Sequence, residues 1–452
     1  MRLFFIAVIF TMCISAQLSS QSDLSKDSKK ASIERLIQLM NDHYVFPEVA
    51  KKTELHLRAQ WKGGHFDSIS DNESFAKALT ESVQFINKDK HMSIRVTPPF
   101  EAVENTPERM IEEQLYGLER SRRYNLGFNT VQVMEGNVGY IDLRGFAGVD
   151  QGKHMADAYM KLIANTDAVI VDLRKNGGGD PRMVQYLCSF FFDERVHLNS
   201  IYSRDTDHTE DFWTLEDING VKRPDVPLYV LTGDKTFSGA EEFAYNMQTQ
   251  KRATLVGVTT GGGANPGGTI PINEDLSVFI PTGRAINPIT KANWEGVGVV
   301  PEIKVPKEEA LEKAHELAKE AAIAFKAKKK AHHTELFQKV NTSIANNGSD
   351  LQSKFKACID ARLMSEDDIN ALGYYYMMEK QSPSEASRIL QVNTMLFPNS
   401  ANVYDSYGES LLQLGKKELA IKQYMKAVSV AEETNDGNLN LFKENLKKAK
   451  EF

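Results

Sequence analysis

The sequence predicts an α/β core set between two helical regions, and three observations carry that reading. Runs such as "AVIVDL" (168–173), "PLYVLT" (227–232) and "ATLVGV" (253–258) are nearly all apolar, as in strands buried on both faces of a helix-covered sheet. Helical segments lie between several strands, at Met155–Ile163 and Met183–Phe191. Outside the core, apolar residues recur at helix spacing, as in Ile33, Leu36, Ile37 and Met40.

The chain has 452 residues, 41% hydrophobic and 25% charged, which suits a packed protein of two or three domains. Its formal charge of −7 supplies no electrostatic footprint for nucleic acid, and none is expected as a partner. The basic run "KAKKKAHH" (326–333) reads as a solvated helix end.

Residues 1–16 read as a signal peptide. Arg2 supplies the positive charge, Leu3 to Ile14 is apolar except for Thr11, and "ISAQ" offers cleavage after Ala16. Export to the periplasm or the medium is expected. No other run is long enough to cross a bilayer, so no stable membrane span is expected after cleavage. Cleavage removes Cys13 and leaves Cys188 and Cys358, read as packing residues. No Cys/His spacing suggests zinc, and no metal or cofactor is expected.

A polar leader occupies 17–30, followed by a helical domain over 30–97 whose second half has Ser70 or Asp71 as a cap. The core, 98–306, opens with the proline turn "TPPFEAVENTP" and a helix near Met110–Glu119. "GYIDL" (139–143) and "SVFIP" (277–281) complete its strands. The polar stretch 202–226 reads as a long loop of the kind that forms lids. A charged helical linker spans 307–349. In 350–452, "NALGYYYMMEKQSPSEASRIL" aligns with "YDSYGESLLQLGKKELAIKQYMKAV", Gly373 answering Gly408 and Ala386 answering Ala420. That is a TPR-like helical pattern, which could hold a protein partner.

Chemistry concentrates around "DKTFSGAEEF" (234–243). Ser238 with Glu241 matches a capping box, S-x-x-E, and Ser238 also follows a strand and opens a helix. A nucleophile there gains from the positive helix end, and the Gly239 N–H could serve an oxyanion. "DLRKNGGGDP" (172–181) ends another strand; Gly178 is the expected second oxyanion donor. No G-K-[ST] follows it, so it is no P-loop. "TTGGGANPGG" (259–268) is a second Gly-rich loop and carries no base. A serine nucleophile needs a base. There are ten histidines, and spacing alone selects none; His91 in "NKDKHMSIRV" and Glu295 in "NWEGVGVVPEI" are candidates for base and orienting group.

The order of "DLRKNGGG", "TFSGAEEF", "VGVTTGGG" and "EGVGVVPEI" resembles the S41 peptidase family over roughly residues 30–306. "HYVFPEVA" and "KDKHMSI" are similar to the N-terminal domain of its retinoid-binding-protein-like branch. The resemblance implies a core of the ClpP/crotonase type, peptide or protein as substrate, and Ser238 as nucleophile. Processing proteases of the family use a lysine base after the serine; here the matching position is Gly263. The tricorn-like arrangement uses histidine and glutamate, which match His91 and Glu295, although Lys90 stands where tricorn has a serine. The reading is thus an exported serine endopeptidase with Ser238, His91 and Glu295 as catalytic set. The alternative is a non-catalytic binding protein for a lipid, retinoid-like ligand or peptide.

Overall fold

This computed structural model describes residues 24–97 and 107–451; the signal segment read at 1–16 lies outside them. The chain forms two compact units that divide between Ile323 and Ala324.

The first unit opens with three helices, α1 (Lys26–His43), α2 (Pro47–Lys62) and α3 (Asn72–Asn87). The polar leader is shorter than expected. Ser25 caps α1 through its hydroxyl, which accepts from Ser28 N–H, and Lys29 is buried with its ammonium on the Phe66 carbonyl at 2.9 Å. At α3 the cap is Asp71, whose carboxylate accepts from Ser74 N–H at 2.8 Å. A short strand, β1 (Ser93–Val96), and helix α4 (Pro107–Arg123) follow.

The central sheet contains β2 (Phe128–Met134), β3 (Val138–Leu143), β4 (Ala168–Asp172), β7 (Leu228–Thr232), β8 (Thr254–Gly257) and β12 (Ile303–Lys304). Their spatial order is β12-β8-β7-β4-β3-β2. Only the β2–β3 pair is antiparallel. Side chains alternate along a strand, so each face of β4 has its own partners. Val169 and Val171 pack with α5 (Val149–Leu162), α6 (Pro181–Ser189) and α7 (Gly239–Thr249). Ala168 and Ile170 face Ala310, Ala314, Ala318 and Ala322, an i, i+4 stripe at the start of α8 (Ala310–Ala345). The expected mixed architecture is present: helices, an α/β core, then helices.

Two departures from the sequence reading matter for the site. Part of the expected loop at 202–226 is a strand. β5 (His197–Ser203) and β6 (His208–Trp213) form a hairpin, and β11 (Gly283–Ile286) pairs with β5. β6 is exposed and charged along most of its length, so it carries no apolar signature. The second departure is "SVFIP". It becomes β10 (Leu276–Pro281), paired with β9 (Gly267–Pro271) and with β1 from the N-terminal region, outside the central sheet. Leu276, Val278 and Ile280 are buried among Leu36, Met40, Leu79 and Met92. At about 1.5–3 kcal/mol for each such side chain, this burial ties the N-terminal helices to the core.

The second unit is helical. After the end of α8 come α9 (Leu351–Asp360), α10 (Glu366–Tyr374), α11 (Pro383–Leu396), α12 (Ala401–Gln413), α13 (Lys417–Thr434) and α14 (Leu439–Glu451). The glycines that the sequence aligned have matching surroundings. A Cβ on Gly373 would meet Leu390 of α11 at 2.5 Å, and one on Gly408 would meet Tyr424 of α13 at 3.2 Å. Ala386 and Ala420 are fully buried. Cys188 and Cys358 are free and buried, each in its own unit.

Candidate active site

Ser238 stands where the chain leaves β7, turns at 233–237, and enters α7. Its backbone has φ +54° and ψ −124°, a region that a non-glycine residue enters only at a cost. Several bonds hold it there. Phe237 N–H donates to the Asn176 carbonyl at 3.1 Å, and the Thr236 hydroxyl to the Leu173 carbonyl at 2.7 Å. Glu241 Oε2 accepts Ser238 N–H at 2.9 Å, which is one half of the capping box.

Glu241 does more than cap. The same oxygen accepts Gly263 N–H at 2.8 Å, while Oε1 accepts Gly262 N–H at 2.6 Å and the Thr260 hydroxyl. The carboxylate is fully buried and ties the serine turn to the second Gly-rich loop. Burial pushes its pKa up, while these four donors pull it down. Trp294 Nε1 donates to the Gly263 carbonyl at 2.7 Å and holds the same loop from the other side.

The first Gly-rich loop lies against Ser238. A Cβ on Gly178 would sit 2.7 Å from Gly239 N and 2.8 Å from the Ser238 Cβ, and its φ is +103°. Glycine is required there on both counts. The oxyanion donor expected at Gly178 is corrected, however. Its N–H donates to Asn176 Oδ1 at 2.8 Å and is spent within the loop. Gly179 instead lines the cleft together with Ser238 and Gly239. A Cβ on Gly239 would be 3.1 Å from Gly179 N. Among the described residues neither Gly179 N–H nor Gly239 N–H, the first of α7, has an acceptor. Asn176 is fully buried, and its amide also donates to the Leu143 carbonyl at 3.0 Å. The sequence reading missed it; an asparagine before three glycines was its signal.

His91 precedes β1, and the β1–β10 pairing brings it to this region. Its ring lies 4.5 Å from the Phe237 ring and 5.8 Å from Phe279. Its Cε1 would be 2.7 Å from a Cβ on Gly263. Burial lowers its pKa to about 4, so the imidazole is neutral at pH 7. Glu295 follows Trp294; its N–H donates to Asn293 Oδ1 at 3.0 Å, and its Oε2 accepts Ala264 N–H at 2.6 Å. Burial, then the charge of Asp89, raises the Glu295 pKa to about 7.

His91 and Glu295 are brought together, with Asp89 as a third group: one donor atom from each lies within 4.8 Å of the others. His91 Nδ1 and Glu295 Oε1 are both buried without a hydrogen-bond partner. Asp89 is fully buried; it accepts His91 N–H at 3.0 Å and Asn265 Nδ2 at 2.8 Å. Burial raises its pKa as well. The sequence reading passed over Asp89, two residues before His91. These three could hold a divalent cation. Lys90 is exposed and donates to the Gly261 carbonyl at 2.6 Å. No hydrogen bond joins the His91 ring to the Ser238 hydroxyl among the described residues.

A family model described as peptidase family S41 matches residues 137–305. A second, the N-terminal domain of Peptidase_S41 in eukaryotic IRBP, matches residues 25–121. Together they cover more than half of the chain. The chain belongs to peptidase family S41. Solved structures similar to this S41 chain include a candidate peptidase from Parabacteroides merdae, at 18% identity and TM-score 0.47 over 64% of this chain and 96% of that one. The photosystem II D1 C-terminal processing protease matches at 13% identity and TM-score 0.40, over 62% and 94%. Tricorn protease matches at 12% identity and TM-score 0.39, over 66% of this chain and 37% of its own.

Proposed function

We propose that this S41 chain is an exported serine endopeptidase whose nucleophile is Ser238. One observation carries the reading: a serine held at φ +54° on a helix N-terminus, between two unspent backbone N–H groups. Strained serines at strand-to-helix turns expose their Oγ for attack.

In this reading Ser238 Oγ attacks a peptide carbonyl, and the N–H groups of Gly239 and Gly179 receive the oxyanion. His91, neutral when the site is empty, takes the serine proton through one ring nitrogen and returns it to the leaving amine. Its Nδ1 and Glu295 Oε1, the two unpartnered buried atoms, satisfy each other when the site engages substrate. An ionised Glu295 then orients the ring and stabilises the imidazolium. Catalytic hydrogen bonds are often long in empty sites and tighten on binding. The signal-like segment at 1–16 supports export. The paired helices of 350–451 would offer a partner surface of TPR type.

The test is a fluorophosphonate probe on the parent protein and on Ser238→Ala, with peptide hydrolysis measured in parallel. Labelling and hydrolysis should both vanish in the variant while its circular dichroism is unchanged. A variant that hydrolyses peptide as fast as the parent removes Ser238 from the mechanism.

A further inference from the structure

Glu242 follows Glu241 on α7, one helical turn after Ser238, and its N–H donates to the Ser238 carbonyl at 2.9 Å. It is 5% exposed, and it lines the same cleft as Ser238. The rest of the lining is glycine, alanine and proline with Ile201 and Trp294. The Trp294 N–H is already spent on Gly263. Apart from the nucleophile, Glu242 therefore offers the cleft's one ionisable side chain among the described residues.

The neutral Asn199 amide eases a charge on this carboxyl, but among the described residues no cation does. Among the described residues no lysine or arginine pairs with it, and the groups acting on it are the buried Asn199 amide and the negative Asp180. Burial, reinforced by Asp180, raises its pKa to about 8. A buried carboxyl without a cation is costly to the fold, and such groups cluster where a ligand completes them.

We infer that Glu242 determines specificity: it selects a polypeptide substrate that places a lysine side chain in the cleft beside Ser238. The inference rests on the peptidase reading. A lysine stem would run along Ile201, Ala285 and Trp294, with its ammonium on the carboxylate at the end. As it enters, the Glu242 proton leaves to solvent and the ion pair replaces it. A compact ammonium suits a narrow cleft better than a planar guanidinium.

The experiment compares Ac-Ala-Ala-X-aminocoumarin compounds with X lysine, norleucine or alanine. With the parent, lysine should exceed norleucine by at least about tenfold in kcat/KM. Glu242→Gln should bring the two within about twofold, and Glu242→Leu should reverse the order. Equal rates for lysine and norleucine in the parent, or a preference that survives both variants, would overturn the inference. The same compounds are titrated calorimetrically into Ser238→Ala. Tighter binding of lysine without turnover of any compound in the parent removes the peptidase reading and leaves Glu242 as a lysine-binding group only. Equal binding of all three overturns the inference alone.

Discussion

The Glu241 carboxylate accepts the backbone N–H of Ser238 at 2.9 Å and, through the same oxygen, that of Gly263 at 2.8 Å. A residue that looks like a helix cap therefore clamps two loops. Glu241→Gln would replace one acceptor oxygen by an NH2 group facing backbone N–H donors. We expect a loss of about 1–3 kcal/mol, read as a lower urea midpoint, with kcat reduced more than KM is raised.

Ser238→Gly separates strain from chemistry. Glycine adopts φ +54° freely, which relieves about 1–3 kcal/mol of strain, while the freer unfolded chain takes back about 0.5–1 kcal/mol. We expect net stabilisation of about 1 kcal/mol with hydrolysis abolished. A fall in melting temperature would show that the serine side chain, not the strain, dominates at this position.

Asn176 acts through the first Gly-rich loop, holding Gly178 N–H and the Leu143 carbonyl. Asn176→Ala leaves both without partners. We expect kcat to fall by about 10–100-fold with KM nearly constant, since the loop positions the Gly179 donor. Asn176→Asp, which keeps the acceptor for Gly178 N–H, should recover part of the loss.

His91 and Glu295 respond to acid in opposite senses. The His91 pKa is lowered on folding, from 6.5 to about 4, so the unfolded chain binds more protons in that window. Stability therefore falls as pH drops from 6.5 to about 4, by roughly 3 kcal/mol if His91 acted alone. The Glu295 pKa is raised, from 4.5 to about 7, so the folded chain binds the extra proton between those values. Its contribution is full below about pH 4.5 and is lost as pH rises through 7, opposing His91 where the windows overlap. Glu295→Gln should therefore show steeper acid destabilisation than the parent. Urea midpoints from pH 4.5 to 7 would reveal it. The acidic limb of kcat/KM in the parent should lie near pH 7, where Glu295 ionises, and vanish there in the variant.

Zinc offers an independent check on Asp89, His91 and Glu295, whose donor atoms lie within 4.8 Å of one another. Zn2+ should inhibit by occupying the base, and Glu295→Gln should weaken the inhibition. A chelator should leave the activity of the protein as purified, with no zinc added, unchanged; a loss on chelation would point to a metal in the reaction.

Much of this molecule was legible because its signals are local. The strands at 168–173, 227–232 and 253–258 announce burial on both faces by nearly all-apolar runs. Ser238 at a strand-to-helix junction, with glutamate three residues on, reads from short-range spacing. Turn geometry already requires glycines near 178. The exposed strand β6 was illegible because its residues bury almost nothing on either face.

Other features exist only in three dimensions. Spacing among ten histidines cannot select a base; the pairing of β1 with β10 brings His91 toward the Gly-rich loops. Which glycine N–H is spent within the first Gly-rich loop depended on where Asn176 points. That Glu241 clamps two loops while Glu242 lines the cleft follows from successive helix residues facing different directions, about 100° apart. The sequence determined which local structures form and which residues could do chemistry. The tertiary structure decided which of those residues meet, because long-range strand pairing and buried hydrogen bonds, unlike helix and strand periodicity, leave no repeat along the chain.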